Sequence, residues 1–463
     1  MSIWCVDGER PDLCESADSP AERNVRSTLL QTACFALQSQ ISADCQNRDD
    51  VFNQLSMVET ARGNFTGQYP QLFYWTMGKF ASPDIATSVI TMRMFNASLF
   101  VAMTFGLFLL VPKHHRASLY FVVVLTIVPL GLFLIPSINP SSWAIIGSLL
   151  AFFGTAGALQ RRGKKKYALW AFAISGLILA AGSRYDGFLY ALVGAAAAFI
   201  IAKQFRIPRR IFWPTALSMI LVVAVFLALG GVYFFENLVR YAGSAGGDPG
   251  RSFLGVFATN IASFTDLWAG FSGATGLGWL DTPVPKTAWM TAGVLVWGTL
   301  FMRLGQLNRS QTFVMLGVTS LLIIIPLMTL QAGLSVVGEN VQSRYIYPLF
   351  IVLVSTVLFR FQKDPEFFYR SQTVVLTLGL FVAQTLALYT NMSRYISGIG
   401  VGGFSWNLNE AAQLGWWWQI GPGPMAVLVL SSIGFGLFLA NSFFFIRKKS
   451  TAEDYRAELE KTS

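Results

Sequence analysis

In the stretch ILAAGSRYDGFLYAL, residues 178–192, an arginine and an aspartate stand two positions apart inside an otherwise apolar run. On a helix Arg184 and Asp186 would point away from each other. A turn lets both reach one place, and the bracketing Gly182 and Gly187 favour one. Comparable clusters recur. PSINPSSW (136–143) sets Asn139 between two prolines, GLGWLDTPVP (276–285) carries Asp281, and GENVQSRYIYP (338–348) carries Glu339, Gln342 and Arg344. GNFTGQYPQLFYW (63–75) is an aromatic turn, and Arg93 in SVITMRMFNASLF lies inside an apolar run, three residues before Asn96 and so on one helix face with it.

These residue types suit one chemistry. Guanidinium stays charged and binds phosphate through paired hydrogen bonds, while a carboxylate takes up a proton from an attacking hydroxyl. Together they describe a site for an anionic, lipid-linked substrate. Arg93, Arg184 and Arg344 are the candidate phosphate ligands, with Asn139 and Gln342 beside them, and Asp186, Asp281 and Glu339 are the candidate catalytic carboxylates. Each cluster also has a plainer reading: turn residues more often hold a loop, and an arginine inside a span can snorkel to the headgroups.

What must position these groups is a stack of membrane helices. Of 463 residues, 54% are hydrophobic and 13% charged, too few polar residues to cover a soluble protein of this length. The chain reads as an all-α polytopic membrane protein of about eleven spans, near 88–111, 117–136, 142–160, 167–183, 187–202, 211–235, 287–302, 312–332, 345–359, 372–390 and 424–446. Alternate short loops and the tail from Arg447 hold 21 of the 34 basic residues, which assigns them to the cytoplasm. The opposite side holds 18 of the 24 acidic residues and all the polar clusters above.

The organisation expected is an outer N-terminal segment (1–87), a multi-span membrane domain (88–446) and a cytoplasmic tail (447–463) in the plasma membrane. All four cysteines, Cys5, Cys14, Cys34 and Cys45, fall in the outer segment, where an oxidising compartment allows disulfides; three pairings are open. Because that segment is polar and outside with no signal before it, a further helix preceding residue 1 is expected, giving twelve spans with both ends cytoplasmic. In the outer loop near 236–286, FLGVFATNIASFTDLWAGF has the spacing of a helix lying on the membrane surface. Trp416, Trp417 and Trp418 read as an interfacial belt or a sugar-stacking platform.

The net charge of +10 follows from the cytoplasmic loops and calls for anionic lipid headgroups, not nucleic acid. There is no nucleotide-binding loop, and His114 and His115 both sit in the first inner loop. No nucleotide cofactor is expected; a divalent cation is left open.

SINPSSW, GLGWLDTPVP, QSRYIYP and GQYPQLFYW resemble the actinobacterial membrane proteins gathered as domain-of-unknown-function family 2142, over essentially the whole chain. That family is similar to the GT-C glycosyltransferases. The resemblance implies a GT-C-like fold and transfer of a sugar from a polyprenyl-phosphate carrier to an envelope glycan or glycolipid acceptor at the outer face. GT-C enzymes typically carry an acidic pair just after their first helix. Asp7 and Glu9, or Asp49 and Asp50, are available here, but none matches that pattern well enough to inherit the role. Two other functions share these residues: a transporter or flippase for a lipid-linked sugar, and a non-catalytic scaffold for envelope assembly.

Overall fold

The computed structural model describes residues 2–5, 13–31, 34–47, 56–202, 250–278, 280–339, 341–361, 368–400, 406–412 and 422–445. The expected span at 211–235, the Trp416–Trp418 run and the carboxylates Asp7, Glu9, Asp49 and Asp50 lie outside these residues.

The N-terminal segment departs from the all-α expectation. It contains a three-stranded antiparallel sheet, β1 (Cys14–Ser16), β2 (Arg23–Arg26) and β3 (Met57–Thr60), with Cys14 opposite Val25 and Val25 opposite Val58. Strands of three and four residues show too little alternation to be read from sequence, and a disulfide replaces the hydrophobic area they lack. Of the three pairings, the one found is Cys5–Cys14 and Cys34–Cys45. Ile3, Trp4, Leu13, Val25 and Leu29 pack with Phe73 and Met77 of the short helix α2 (Gln71–Gly78), which follows α1 (Ser27–Gln31). Met92 and Trp143 from the membrane helices complete that core, fixing the sheet on one end of the bundle.

The bundle begins with α3 (Ile85–Leu110), which starts three residues earlier than the expected 88 because the Asp84 side chain accepts the Thr87 N–H as an N-cap. Then come α4 (Lys113–Leu134), α5 (Ser141–Gln160), α6 (Lys164–Ala181) and α7 (Tyr185–Ala202). Two short helices, α8 (Phe253–Ala262) and α9 (Phe264–Ala269), precede α10 (Lys286–Leu304), α11 (Arg309–Ala332), α12 (Ser343–Leu358), α13 (Arg370–Ile396), α14 (Leu408–Ala412) and α15 (Pro424–Phe445). Among the described residues seven helices are long and apolar enough to cross a membrane: α3, α4, α5, α7, α11, α13 and α15. Three other expected spans are helical but weaker as spans. Lysines 164–166 open α6, Lys286 and Arg303 flank α10, and α12 has 16 residues.

Burial separates these helices into two groups. α4, α5 and α12 are almost wholly covered and form the centre. By contrast α3, α11, α13 and α15 show long apolar faces to the outside, including Val101, Phe105, Phe313, Met328, Leu378 and Leu437. In water such faces would aggregate, and hydrocarbon is the solvent they match. α5 and α6 cross at backbone contact: a Cβ on Gly147 would lie 2.5 Å from the Gly176 carbonyl oxygen, and one on Gly154 would lie 2.7 Å from the Ala173 nitrogen. α8 shows Phe253, Leu254, Phe257 and Ile261 on one exposed face, the pattern of a helix lying in the interface, and anchors by its buried Asn260, which donates to the Ser335 carbonyl and accepts from Val337 N–H.

Candidate functional site

The turn at residues 182–184 joins α6 to α7 and brings the two charges together. Arg184 Nε and Nη2 donate to the two Asp186 carboxylate oxygens at 2.9 and 2.6 Å, a fork-to-fork pair, and Gly187 N–H adds a bond of 2.8 Å. The guanidinium is only 11% exposed. Burial works against its charge, but the Asp186 carboxylate outweighs that cost and keeps its pKa above the ordinary arginine value. The aromatic turn from the N-terminal segment docks here: Phe73 N–H donates to the Gly182 carbonyl, and a Cβ on Gly182 would strike Leu72. Asn64 holds that turn closed through both backbone groups of Tyr69, whose ring lies 5.7 Å from the Arg184 guanidinium.

Tyr345, at the start of α12, links this turn to the next cluster. Arg184 lies 4.8 Å and Arg344 5.3 Å from its ring centroid, so the two cations are at most about 10 Å apart. Arg344 makes no ion pair among the described residues, and its Nε, the Gln342 Oε1 and the Ser343 hydroxyl are buried without hydrogen-bond partners. Gln342, Ser343 and Arg344 border one recess with the turn residues Thr275, Gly276, Leu277, Gly278 and Leu280. Its free volume is about 10 Å³, room for about one water. Gly276 and Gly278 hold positive φ angles of 88° and 66° there, and a Cβ on Gly278 would come within 2.9 Å of the Tyr395 hydroxyl of α13.

The remaining candidates are placed differently. Asp281 forms an ion pair of 2.9 Å with Arg394 at the end of α13, where both are almost completely buried, and it also accepts the Leu37 N–H. Arg394 donates further to the carbonyls of Phe35, Gln38 and Ile41, inside the loop closed by Cys34–Cys45. That unit clamps the N-terminal segment to α13. Glu339 accepts a fork from Arg251 at 2.9 and 3.0 Å on the surface, and that arginine, followed by the Val336 N–H, holds its carboxyl below the usual carboxylate range. Asn139 accepts from Ser141 N–H at the start of α5. Arg93 and Asn96 do not act together: three residues is a 60° offset on a helix, and it turns Asn96 inward to Ser137 and Trp143 while Arg93 stays exposed. Arg93 instead interacts electrostatically with Tyr395.

Thus each of the three expected carboxylates lies in an ion pair. Sequence reasoning passed over Arg394, Arg251 and Tyr345; the expected span ended at 390, so Arg394, which the structure puts in the last turn of α13, carried no signal like the one that singled out Arg93. No three of His, Cys, Asp and Glu gather into a metal-binding group among the described residues.

A bundle with outward apolar faces and a disulfide-bonded sheet on one end defines a multi-pass membrane protein. The sequence matches the family DUF2142, described as "Predicted membrane protein", over residues 2–354, and the chain belongs to that family. No curated protein and no solved structure matches it.

Proposed function

We propose that the protein is a cell-envelope glycosyltransferase of the GT-C type, using a polyprenyl-phosphate-linked sugar at the outer face of the plasma membrane, with eleven spans and the C-terminus in the cytoplasm. One observation carries the reading: residues of GLGWLDT and QSRY border a common recess, and Arg344 within it shares the Tyr345 ring with Arg184. The charge of Arg184 is already matched by Asp186, so Arg344, which is part exposed, is the cation that receives the donor phosphate, on the side away from a recess with room for only about one water. The acceptor hydroxyl oxygen attacks the anomeric carbon, the bond from that carbon to the phosphate oxygen breaks, and the phosphate leaves with the electron pair, stabilised by Arg344. The hydroxyl proton passes to a carboxylate. Asp186 is tied to this centre through its pair with Arg184, which shares the Tyr345 ring with Arg344.

The test uses the full chain in liposomes, with a polyprenyl-phosphate-linked radiolabelled sugar and envelope glycolipid as acceptor. The wild-type protein forms a new glycosidic product. Arg344→Gln lowers turnover about 10²-fold, in the range for removing one group that stabilises developing charge, and Arg344→Lys restores part of it. Absence of product, or equal rates in Arg344→Gln, overturns the reading; bilayer movement of the lipid without product assigns a transporter instead.

A further inference from the structure

A groove of about 940 Å³ runs along the membrane-facing side of the bundle between α3, α4, α13 and α15. Its lining is overwhelmingly apolar, and aromatic along much of its length, with Phe100, Phe105 and Phe108 from α3 facing Phe435 and Phe438 from α15. The volume is within the range of ligand cavities, about 300–1,000 Å³, and the groove lies open along its side.

Its chemistry changes at one end. Arg93 precedes Ala97, Phe100, Thr104 and Phe108 by 4, 7, 11 and 15 residues, so at 100° per residue it stands on the same face of α3 as these lining residues, at the end nearest the sheet. Tyr395 follows the lining residues Gln384 and Leu388 by 11 and 7 residues and has the same relation to α13. Both residues therefore stand at the same end of the groove, near enough for the Arg93 charge to bear on the Tyr395 hydroxyl. Arg93 is exposed and has no carboxylate partner among the described residues. It lies eight residues into its helix, about 12 Å along the axis from Ile85. A charge at that depth is costly unless an anion or water reaches it, and a guanidinium on a long stem reaches the headgroup level.

We propose that this groove holds the chain of a lipid monophosphate, with the phosphate at Arg93 and Tyr395. The long apolar slot accepts the chain, and the isolated cation at its mouth accepts the anion. The proposal goes beyond the transferase reading and does not rest on it: the lipid held at Arg93 is a second one, distinct from the donor whose phosphate Arg344 receives. A Cβ on Gly278 would stand 2.9 Å from the Tyr395 hydroxyl, so the two regions adjoin.

The experiment measures binding alone. Full-length protein in nanodiscs is photolabelled with a diazirine-bearing long-chain alkyl monophosphate, with the corresponding alcohol, and with the monophosphate in the presence of inorganic phosphate. The monophosphate labels peptides of α3, α4, α13 and α15. Arg93→Gln lowers that labelling about tenfold or more, as for loss of a hydrogen bond to a charged group, and Arg93→Lys retains most of it. Ala97→Trp, which fills the slot, removes labelling by both lipids. Equal labelling by alcohol and monophosphate, unaffected by Arg93→Gln, marks ordinary annular lipid and overturns the proposal. Full protection by inorganic phosphate reduces the site to one for a free anion and overturns it too. Intact labelling without sugar transfer leaves this site standing and removes only the transferase reading.

Discussion

At the scale of single residues, the structure sorts charges by what they already hold. Asp281 and Arg394 are a buried pair whose job is mechanical, since Arg394 also binds three carbonyls of the Cys34–Cys45 loop. Removing one partner strands the other charge, at a cost of about 3–5 kcal/mol. Arg394→Met should therefore lower the thermal midpoint in detergent and expose residues 34–45 to protease, while Asp281→Asn, which keeps an acceptor, should do less; equal and negligible effects would show that the clamp is idle. Glu339 is the opposite case, an exposed pair worth about 0.2–1 kcal/mol. Its folded pKa lies below the unfolded value, so its contribution is present above the unfolded carboxylate pKa and lost as pH falls through the folded one. Hydrogen exchange in residues 333–342, corrected for intrinsic rate, should rise over that acid window, and Arg251→Gln should abolish the pH dependence. The residue types were legible in the sequence, but their partners were not: Asp281 meets Arg394 across 113 residues, and Glu339 meets Arg251 across 88. A sequence places a charge in a turn without saying which distant turn folds against it.

Between elements, the most readable features were those with local causes. Apolar runs set the helices, and Gly182 marked the turn between α6 and α7, whereas Asp186 and Gly187 stand in the first turn of α7 itself. The three-stranded sheet was not legible, because strands of three or four residues carry no period. The closest element contact, between α5 and α6, rests on glycines that leave no sequence mark beyond their lack of a side chain. There Gly147 and Gly176 bring backbone against backbone, as small residues do in membrane helix pairs. Gly176→Leu must push α6 away from α5 and with it the 182–184 turn that carries Arg184. The expected result is a lower thermal midpoint together with loss of any activity that depends on the recess. An unchanged midpoint would mean that the two helices are not in this contact.

In the whole molecule, turns from distant parts of the chain gather at one end of the bundle. The aromatic turn at 63–75, the SRYDG turn, QSRY and the glycine-rich turn at 273–282 meet around Tyr345 and its neighbours, and the sheet covers the same end. Basic loops lie at the other end, and the proposed function takes the polar end to be the outside. A lipid-linked donor makes sense only on that side, so sidedness tests the central claim most directly. The four native cysteines are paired and silent toward thiol reagents. In intact cells, a membrane-impermeant maleimide should therefore label Arg62→Cys and Trp406→Cys, both exposed at the polar end, and should reach Lys165→Cys only after the membrane is opened. Labelling of Lys165→Cys in intact cells, with Arg62→Cys and Trp406→Cys protected, would put the recess in the cytoplasm and contradict the account.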